Sequence, residues 1–398
     1  MIIQMIERSI KISGVGCCLL DFIYPDVSFK SQELQARFSK KPGDGGIQPG
    51  NLVFSEDLVK YTGEVMDEIY QKILPGIDSE HVNVGGPCIV ALIHASQLLN
   101  NQQVSFSYFG ALGDDLAGNR LRELLGRTAI KLDHYDVLEG ATPKTIVLSD
   151  PDYNQGQGER AFINTIGVAG KYSLARLGRD FFSADILFFG GTALVPPIHD
   201  HLLELLKKGK ENDSINIVTT VFDFRNENLE PNKKWPMGQS DESFKYMDLL
   251  IMDREEALRI SGQAKLEDAA DFFIRHKTRS FIITSGANDI LSYSDGNFFA
   301  PQEVGKMPVL SFHKYRTPGI QCDTTGCGDN FAGGVLFSLL TEMTLGKHGG
   351  FDLAEACTWG IVSGSYTGLI AGGVEFENRE GEKLEKITKL YQDFKKQK

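Results

Sequence analysis

The segment Asp323-Thr-Thr-Gly-Cys-Gly-Asp329-Asn sets a carboxylate directly after three small residues and just ahead of the apolar run Phe-Ala-Gly-Gly-Val-Leu-Phe-Ser-Leu-Leu. Small residues at 326–328 let the chain turn tightly, and the pattern after them predicts that the turn opens a helix. The first N–H groups of a helix have no partners within it, and the helix dipole adds partial positive charge at that end. Such a turn is an anion hole, able to stabilise charge that develops on a phosphoryl group in transfer. Asp329 would stand beside that group and could accept the proton of an attacking hydroxyl. Capping of the helix is the competing explanation, because Asp is a common N-cap. A bare G-x-G-D does not separate the two.

Other phosphate-binding patterns fit less well. Gly170-Lys171 is followed by Tyr172, and Thr165 stands where a P-loop needs its first glycine. The protein-kinase set of Gly-rich loop, H-R-D and D-F-G is absent. Gly156-Gln-Gly158-Glu-Arg-Ala161 has dinucleotide-loop spacing but lies in a polar turn with no helix after it.

The elements that must position these groups are legible as a rhythm. Apolar runs IKISGVG, VSFSYFG, ADILFFG, INIVTTVFD, MDLLIMD and SFIITSG alternate with helical patterns, as in a mostly parallel sheet covered on both faces. Helices are predicted at 87–100, 115–127, 197–209, 254–261, 265–277, 329–343, 352–370 and 380–396. Two stretches break the rhythm and suggest a smaller element over the mouth of the sheet. One is 25–84, with the loop KKPGDGGIQPGN and an amphipathic stretch from Ser55 to Ile73; the other is 142–165, where TPKTIVLSD and ERAFINT read as a β-hairpin joined by PDYNQGQG.

The whole segment from Asp323 to Asp329 resembles the second signature of the PfkB, or ribokinase-like, carbohydrate kinase family, D-T-x-G-A-G-D, with Cys327 in place of Ala. The resemblance implies that Asp329 is the catalytic base and that the backbone of Gly326, Cys327 and Gly328 forms the anion hole. Other segments follow in the family's order. Gly14-Val-Gly16-Cys-Cys-Leu-Leu-Asp21 looks like the first strand and the aspartate that holds acceptor hydroxyls, and Val84-Gly85-Gly86-Pro87 resembles the substrate-side glycine pair. Val90 replaces the asparagine the family usually has four residues after the second glycine, so a polar substrate contact is missing or supplied elsewhere.

On the nucleotide side, Asp253-Arg-Glu-Glu256 resembles N-x-x-E, which implies that Glu256 helps to organise Mg²⁺ and its waters near the phosphates, with Asp253 in place of Asn. Thr284-Ser-Gly286 resembles the T-x-G turn that lies along the nucleotide. Phe109 to Gly118 resembles a scaffold turn, and Asp223 and Arg225 with Trp235 resemble D-x-N-x-R…W. The resemblance runs from about Ile10 to Ala371.

It implies a single α/β domain over 1–398, a three-layer αβα sandwich with a small β-lid. Lid elements are expected within 17–60 and 142–165, and 25–84 as an enlarged insertion. It implies ATP and Mg²⁺ as cofactors, a monovalent cation such as K⁺ near the anion hole, and a sugar or nucleoside as acceptor through a primary hydroxyl. Alternatives are a phosphosugar kinase, with Arg160 and Lys144 as candidate phosphate ligands, and a catalytically idle member that binds sugar or nucleotide as a regulator.

Composition sets outer bounds. With 41% hydrophobic and 24% charged residues the chain is of ordinary globular type. A net charge of -12 speaks against a nucleic-acid partner, which would be held by clustered Lys and Arg. No secretory start and no long apolar run predict a cytoplasmic protein without a membrane span; a homodimer is compatible with all of this. Six cysteines without C-x-x-C spacing predict reduced, mostly buried thiols, and His199 and His201 are expected to be solvated or to cap rather than bind metal.

Overall fold

A computed structural model describes residues 9–41, 43–76, 81–99, 103–156, 158–311, 315, 324–370 and 372–397. Asp323 and Ala371, named above, lie outside the described residues, as do the sixth cysteine, Cys322, and the predicted helix end at 100. The strands in chain order are β1 (Ile10–Gly16), β2 (Leu19–Tyr24), β3 (Leu52–Phe54), β4 (His81–Gly85), β5 (Val104–Gly113), β6 (Lys131–Leu138) and β7 (Lys144–Asp150). They continue with β8 (Glu159–Thr165), β9 (Ile186–Gly190), β10 (Ile215–Thr219), β11 (Leu249–Asp253), β12 (Ser280–Ser285), β13 (Asn288–Ser294) and β14 (Gln302–Met307).

Nine of them form a sheet in the order β14-β13-β12-β11-β10-β9-β1-β5-β6, parallel from β12 to β6 and closed at the other edge by antiparallel β13 and β14. Strand alternation feeds two cores at once: Ile186 and Phe188 of β9 enter one, Leu187 and Phe189 the other. Helices Pro87–Leu99, Cys327–Thr344, Leu353–Thr367 and Glu382–Gln397 cover the first face, while Leu202–Glu211, Arg254–Ser261 and Leu266–Arg275 cover the second. The expected αβα sandwich is therefore the observed one. Helix Cys327–Thr344 is buried continuously from Asn330 to Leu340, apolar on every side as a central helix must be.

The remaining five strands form a second sheet, β3-β8-β7-β2-β4. Residues 25–84 lay a third core on it, where Val27, Phe29, Leu34, Ile47, Leu58 and Ile69 meet Ile146, Leu148, Ala161 and Ile163. The amphipathic stretch is two helices, Ser55–Thr62 and Met66–Ile73, each turning its apolar stripe to that core. Among the described residues no helix is long and apolar enough to cross a membrane.

Thr284 and Ser285 end β12, and Gly286, at φ 58°, opens the tight turn of the antiparallel β12–β13 hairpin. One expectation is corrected here. His199 is not solvated: it is buried, with Nδ1 3.0 Å from the Thr192 hydroxyl and Nε2 3.1 Å from the Pro236 carbonyl. Cys17, Cys18, Cys88 and Cys357 are buried thiols, whereas Cys327 is half-buried.

Candidate active site

Helix Cys327–Thr344 begins on Gly326, whose φ of 76° is left-handed. A side chain there would be strained, and its Cβ would fall 2.5 Å from the Gly373 Cα. The Gly326 carbonyl accepts from the Asn330 backbone amide at 2.9 Å and from Asn330 Nδ2 at 2.8 Å, so this peptide is pinned from two sides. The Cys327 amide donates to the Thr324 carbonyl at 3.2 Å. Among the described residues, the next two amides, of Gly328 and Asp329, have no acceptor. The open donors of the turn are thus 328 and 329 rather than 327.

Asp329 keeps partial contact with solvent, and burial of its carboxyl raises the pKa from 3.8 to about 6. At neutral pH it is mostly ionised and more basic than an ordinary aspartate. On the second sheet, Arg160 of β8 reaches across to the hydroxyls of Thr324 and Thr325 at the mouth of this turn.

Asp21 lies on β2 with 4% exposure, beside β4, where it pairs with Asn83. Its carboxylate sits against Gly85: a Cβ at 85 would be 2.4 Å from Asp21 Oδ2. Gly86, at φ 113°, lets the chain pass the Cys17 carbonyl, which a Cβ would meet at 2.2 Å. Asp21, Gly85 and Gly86 are therefore one structural unit. The Cys17 thiol beside it is pushed up by burial first, then by Cys18, Asp21 and Asp329, which puts both carboxylates within electrostatic reach of one sulfur. Val90 is buried in the core, with its methyls 3.5 and 3.6 Å from where a Cβ on Gly373 would lie. Asn83 does not take over as a free polar contact, because its amide joins Val374 through both oxygen and nitrogen.

The third group stands at the carboxyl ends of β10, β11 and β12, where parallel α/β sheets place ligands. Asp253 pairs in register with Thr284. It also caps helix Arg254–Ser261 by a capping box: Asp253 Oδ1 accepts from the Glu256 amide at 2.8 Å, and Glu256 Oε2 accepts from the Asp253 amide at 2.9 Å. Thr220 donates to the same Oε2 at 2.6 Å. Burial first, then the charges of Asp253 and Asp329, push the Glu256 carboxyl up to about 8. A buried acid so disfavoured as an anion is one that a nearby cation would ionise.

No group of three or more His, Cys, Asp or Glu side chains fit to hold a metal occurs among the described residues. Mg²⁺ would be held here mainly by its waters and by phosphate oxygens, with Glu256 as the protein anchor, which suits this hard, reluctantly dehydrated ion.

Sequence reading missed Thr220, Asn83 and Asn330. Asn330 follows Asp329 directly, and a buried Asn one residue inside an apolar helix is a readable signal. Thr220 and Asn83 carry none without their partners. Of the D-x-N-x-R…W resemblance, Arg225 is paired with Asp200, and Trp235 Nε1 donates to Glu227 at 3.0 Å.

Among solved structures, the fold falls in the ribokinase-like class. Adenosine kinase from Anopheles gambiae, 19% identical, aligns with a TM-score of 0.65 over 91% of this chain and 96% of its own. A candidate ribokinase II from E. coli, solved with ATP and Mg²⁺, is 16% identical with a TM-score of 0.62 over 96% of this chain and 99% of its own. In sequence, fructokinase-2 of Solanum habrochaites is 22% identical over 251 residues, 60% of this chain and 68% of that one. The profile of the pfkB family carbohydrate kinases matches residues 73–367, and the chain belongs to this family. Its reaction class is phosphoryl transfer to an alcohol group.

Proposed function

We propose that this chain transfers the γ-phosphoryl group of Mg·ATP to a primary hydroxyl of a sugar or nucleoside, with Asp329 as general base. The observation that carries the reading is the coincidence, at one helix start, of two open amides and a carboxyl raised to about 6. Asp329 takes the hydroxyl proton as the oxygen attacks. The Gly328 and Asp329 amides, which follow Gly326 and Cys327 in the turn, balance the charge on the moving group.

Asp21, Gly85 and Gly86 hold the acceptor, the carboxylate by accepting from its hydroxyls and the glycines by exposing backbone. Asp253, Thr284 and Gly286 line the nucleotide, and Glu256 orients the water shell of Mg²⁺. The second sheet, with 25–84 packed on it, is the lid within a single kinase domain; its closure excludes water and limits wasteful ATP hydrolysis.

The relatives direct the choice of acceptors for the test. ATP turnover is measured with D-fructose, D-ribose, their phosphates and adenosine. One of these supports turnover, and Asp329→Asn removes it; an enzyme inert with every acceptor yet binding one of them would instead be an idle family member. On the productive acceptor, Asp21→Ala raises KM about 10- to 100-fold, the worth of a charged hydrogen bond of about 1.5–3 kcal/mol, with a smaller effect on kcat. An unchanged KM would remove Asp21 from the acceptor site.

A phosphosugar acceptor is the second reading, and the position of Arg160 bears on it. Its guanidinium already meets Thr324 and Thr325, which suits a role at the transferring phosphate more than at the far end of an acceptor. Arg160→Ala is therefore expected to lower kcat about 10-fold or more with little change in acceptor KM. A KM effect confined to sugar phosphates would favour the phosphosugar reading.

A further inference from the structure

Lys383, in the first turn of helix Glu382–Gln397, is 1% exposed. Its ammonium donates to Gln97 Oε1 at 2.9 Å and to Asn330 Oδ1 at 3.4 Å, both neutral amides. Among the described residues no carboxylate oxygen lies within 4 Å of it. A lysine withdrawn from water without a close counter-charge is costly, and such groups concentrate at working sites.

Asn330, itself fully buried, connects that charge to the anion turn. Its Oδ1 faces the ammonium, while its Nδ2 donates at 2.8 Å to the carbonyls of both Gly326 and Gly373. The cation polarises the amide and strengthens both N–H donors. One of them fixes the Gly326 peptide, and with it the direction of the amides that follow.

We propose that Lys383 is a positioning residue whose buried ammonium, acting through Asn330, holds the 326–329 turn in the conformation that presents the Gly328 and Asp329 amides. The proposal rests on the reading of that turn as the anion hole. It assigns a part in phosphoryl transfer to the C-terminal helix, which lies beyond residues 73–367 of the family match.

The surroundings give the charge a titration. Burial brings the Lys383 pKa down from 10.5 to about 8; Glu375 and Glu377 oppose that shift and Lys386 adds to it. Glu377 Oε1 accepts from the Lys383 backbone amide at 2.7 Å. Glu375 is engaged by Lys386 at 2.6 Å and by the Tyr366 hydroxyl at 2.6 Å, and Glu382 also pairs with Lys386. His94, packed on the same cluster from helix Pro87–Leu99, is kept neutral by burial first and then by Lys383 itself. Within this cluster Lys383 is the group that changes charge near pH 8, and kcat declines above that pH; Glu256, raised to a similar value, gains its charge there and would already be ionised by Mg²⁺ in the assay.

The test is Lys383→Met, which keeps chain length and removes charge, assayed with Mg·ATP and whichever of D-fructose, D-ribose and adenosine the wild type phosphorylates. The expected result is a kcat lowered about 10- to 100-fold with KM values changed less than about twofold, and loss of the alkaline limb near pH 8. Because the folded state releases this proton more readily than the unfolded chain, the charge costs stability below pH 8. The variant is therefore expected to melt at or above the wild-type temperature at pH 7, which separates the effect from unfolding.

If Lys383→Met does not fold, the wild-type profile still decides: a kcat flat from pH 7 to 9.5 overturns the proposal. Asp329→Asn run in parallel keeps the two readings apart. An inactive Asp329→Asn beside a Lys383→Met with wild-type kcat and pH profile defeats the positioning role alone, whereas an active Asp329→Asn defeats the site and the proposal with it.

Discussion

Asp329→Asn is expected to lose about 10²–10⁴-fold in kcat, the range of a general base, while folding normally. Its companion signature is thermal. Because the Asp329 carboxyl titrates near 6 in the fold and near 3.8 when free, the native state binds more protons than the unfolded chain between those values. Stability therefore falls as pH rises through that window, and the cost is fully present above about pH 6. Asn carries no such charge.

At pH 8 the variant should be more stable than the wild type by about 1–2 kcal/mol, a two-unit shift discounted for the solvent that still reaches the group. Near pH 4 the difference should vanish. In the wild type, kcat/KM for the acceptor should rise with an acid limb near pH 6, and that limb should be missing from the residual activity of the Asn variant. Retained activity with an unchanged limb would mean that Asp329 is only a helix residue.

Gly326→Ala carries the second large effect, and it acts on the backbone. The left-handed conformation costs an L-residue roughly 1–2 kcal/mol. The added methyl would also meet the Gly373 Cα at 2.5 Å, an overpacking of about 1–3 kcal/mol. Relief requires the turn to move, and the amides of 328 and 329 move with it. A loss of about 10²-fold in kcat is expected, with the melting temperature lowered.

Gly328→Ala is the matched comparison: its φ is not positive and nothing lies within 4 Å of the added Cβ, so it should melt like the wild type. Equal melting temperatures for the two alanine variants would show that the turn tolerates rearrangement and would remove the basis for the first effect.

Much of the sandwich is written in consecutive residues. ILFFG and LLIM are continuous apolar runs because both faces of β9 and β11 are covered, and the turn before helix Cys327–Thr344 declares itself by its glycines. Less visible were β6, KLDHYDVL, an edge strand with only one of its eight side chains fully buried, and β14, QEVGKM, with none. Such strands are held by ladder hydrogen bonds rather than by apolar pattern. Ser55–Ile73 reads as one stripe because two short helices with a break between them can point the same way.

Within the candidate site, local motifs found what lies close in sequence, the turn at 326–329 and the pair Asp253 and Glu256. They could not find partnerships made across the fold. Lys383 meets Asn330 from 53 positions away, and Asn83 meets Val374 from 291. A lone lysine in an amphipathic helix looks solvated until the neighbouring helices are in place.

The third hydrophobic core has an evolutionary implication. Residues 25–84 are anchored to the outer sheet by Val27, Phe29, Leu34, Ile47, Leu58 and Ile69, none of which belongs to the two cores that flank the main sheet. Drift at these six positions is thus insulated from the framework that holds the phosphoryl machinery, whereas Asn83 and Val84 of β4 are tied to it. A lineage can remodel what its cap admits, residue by residue, while the chemistry beneath is inherited intact.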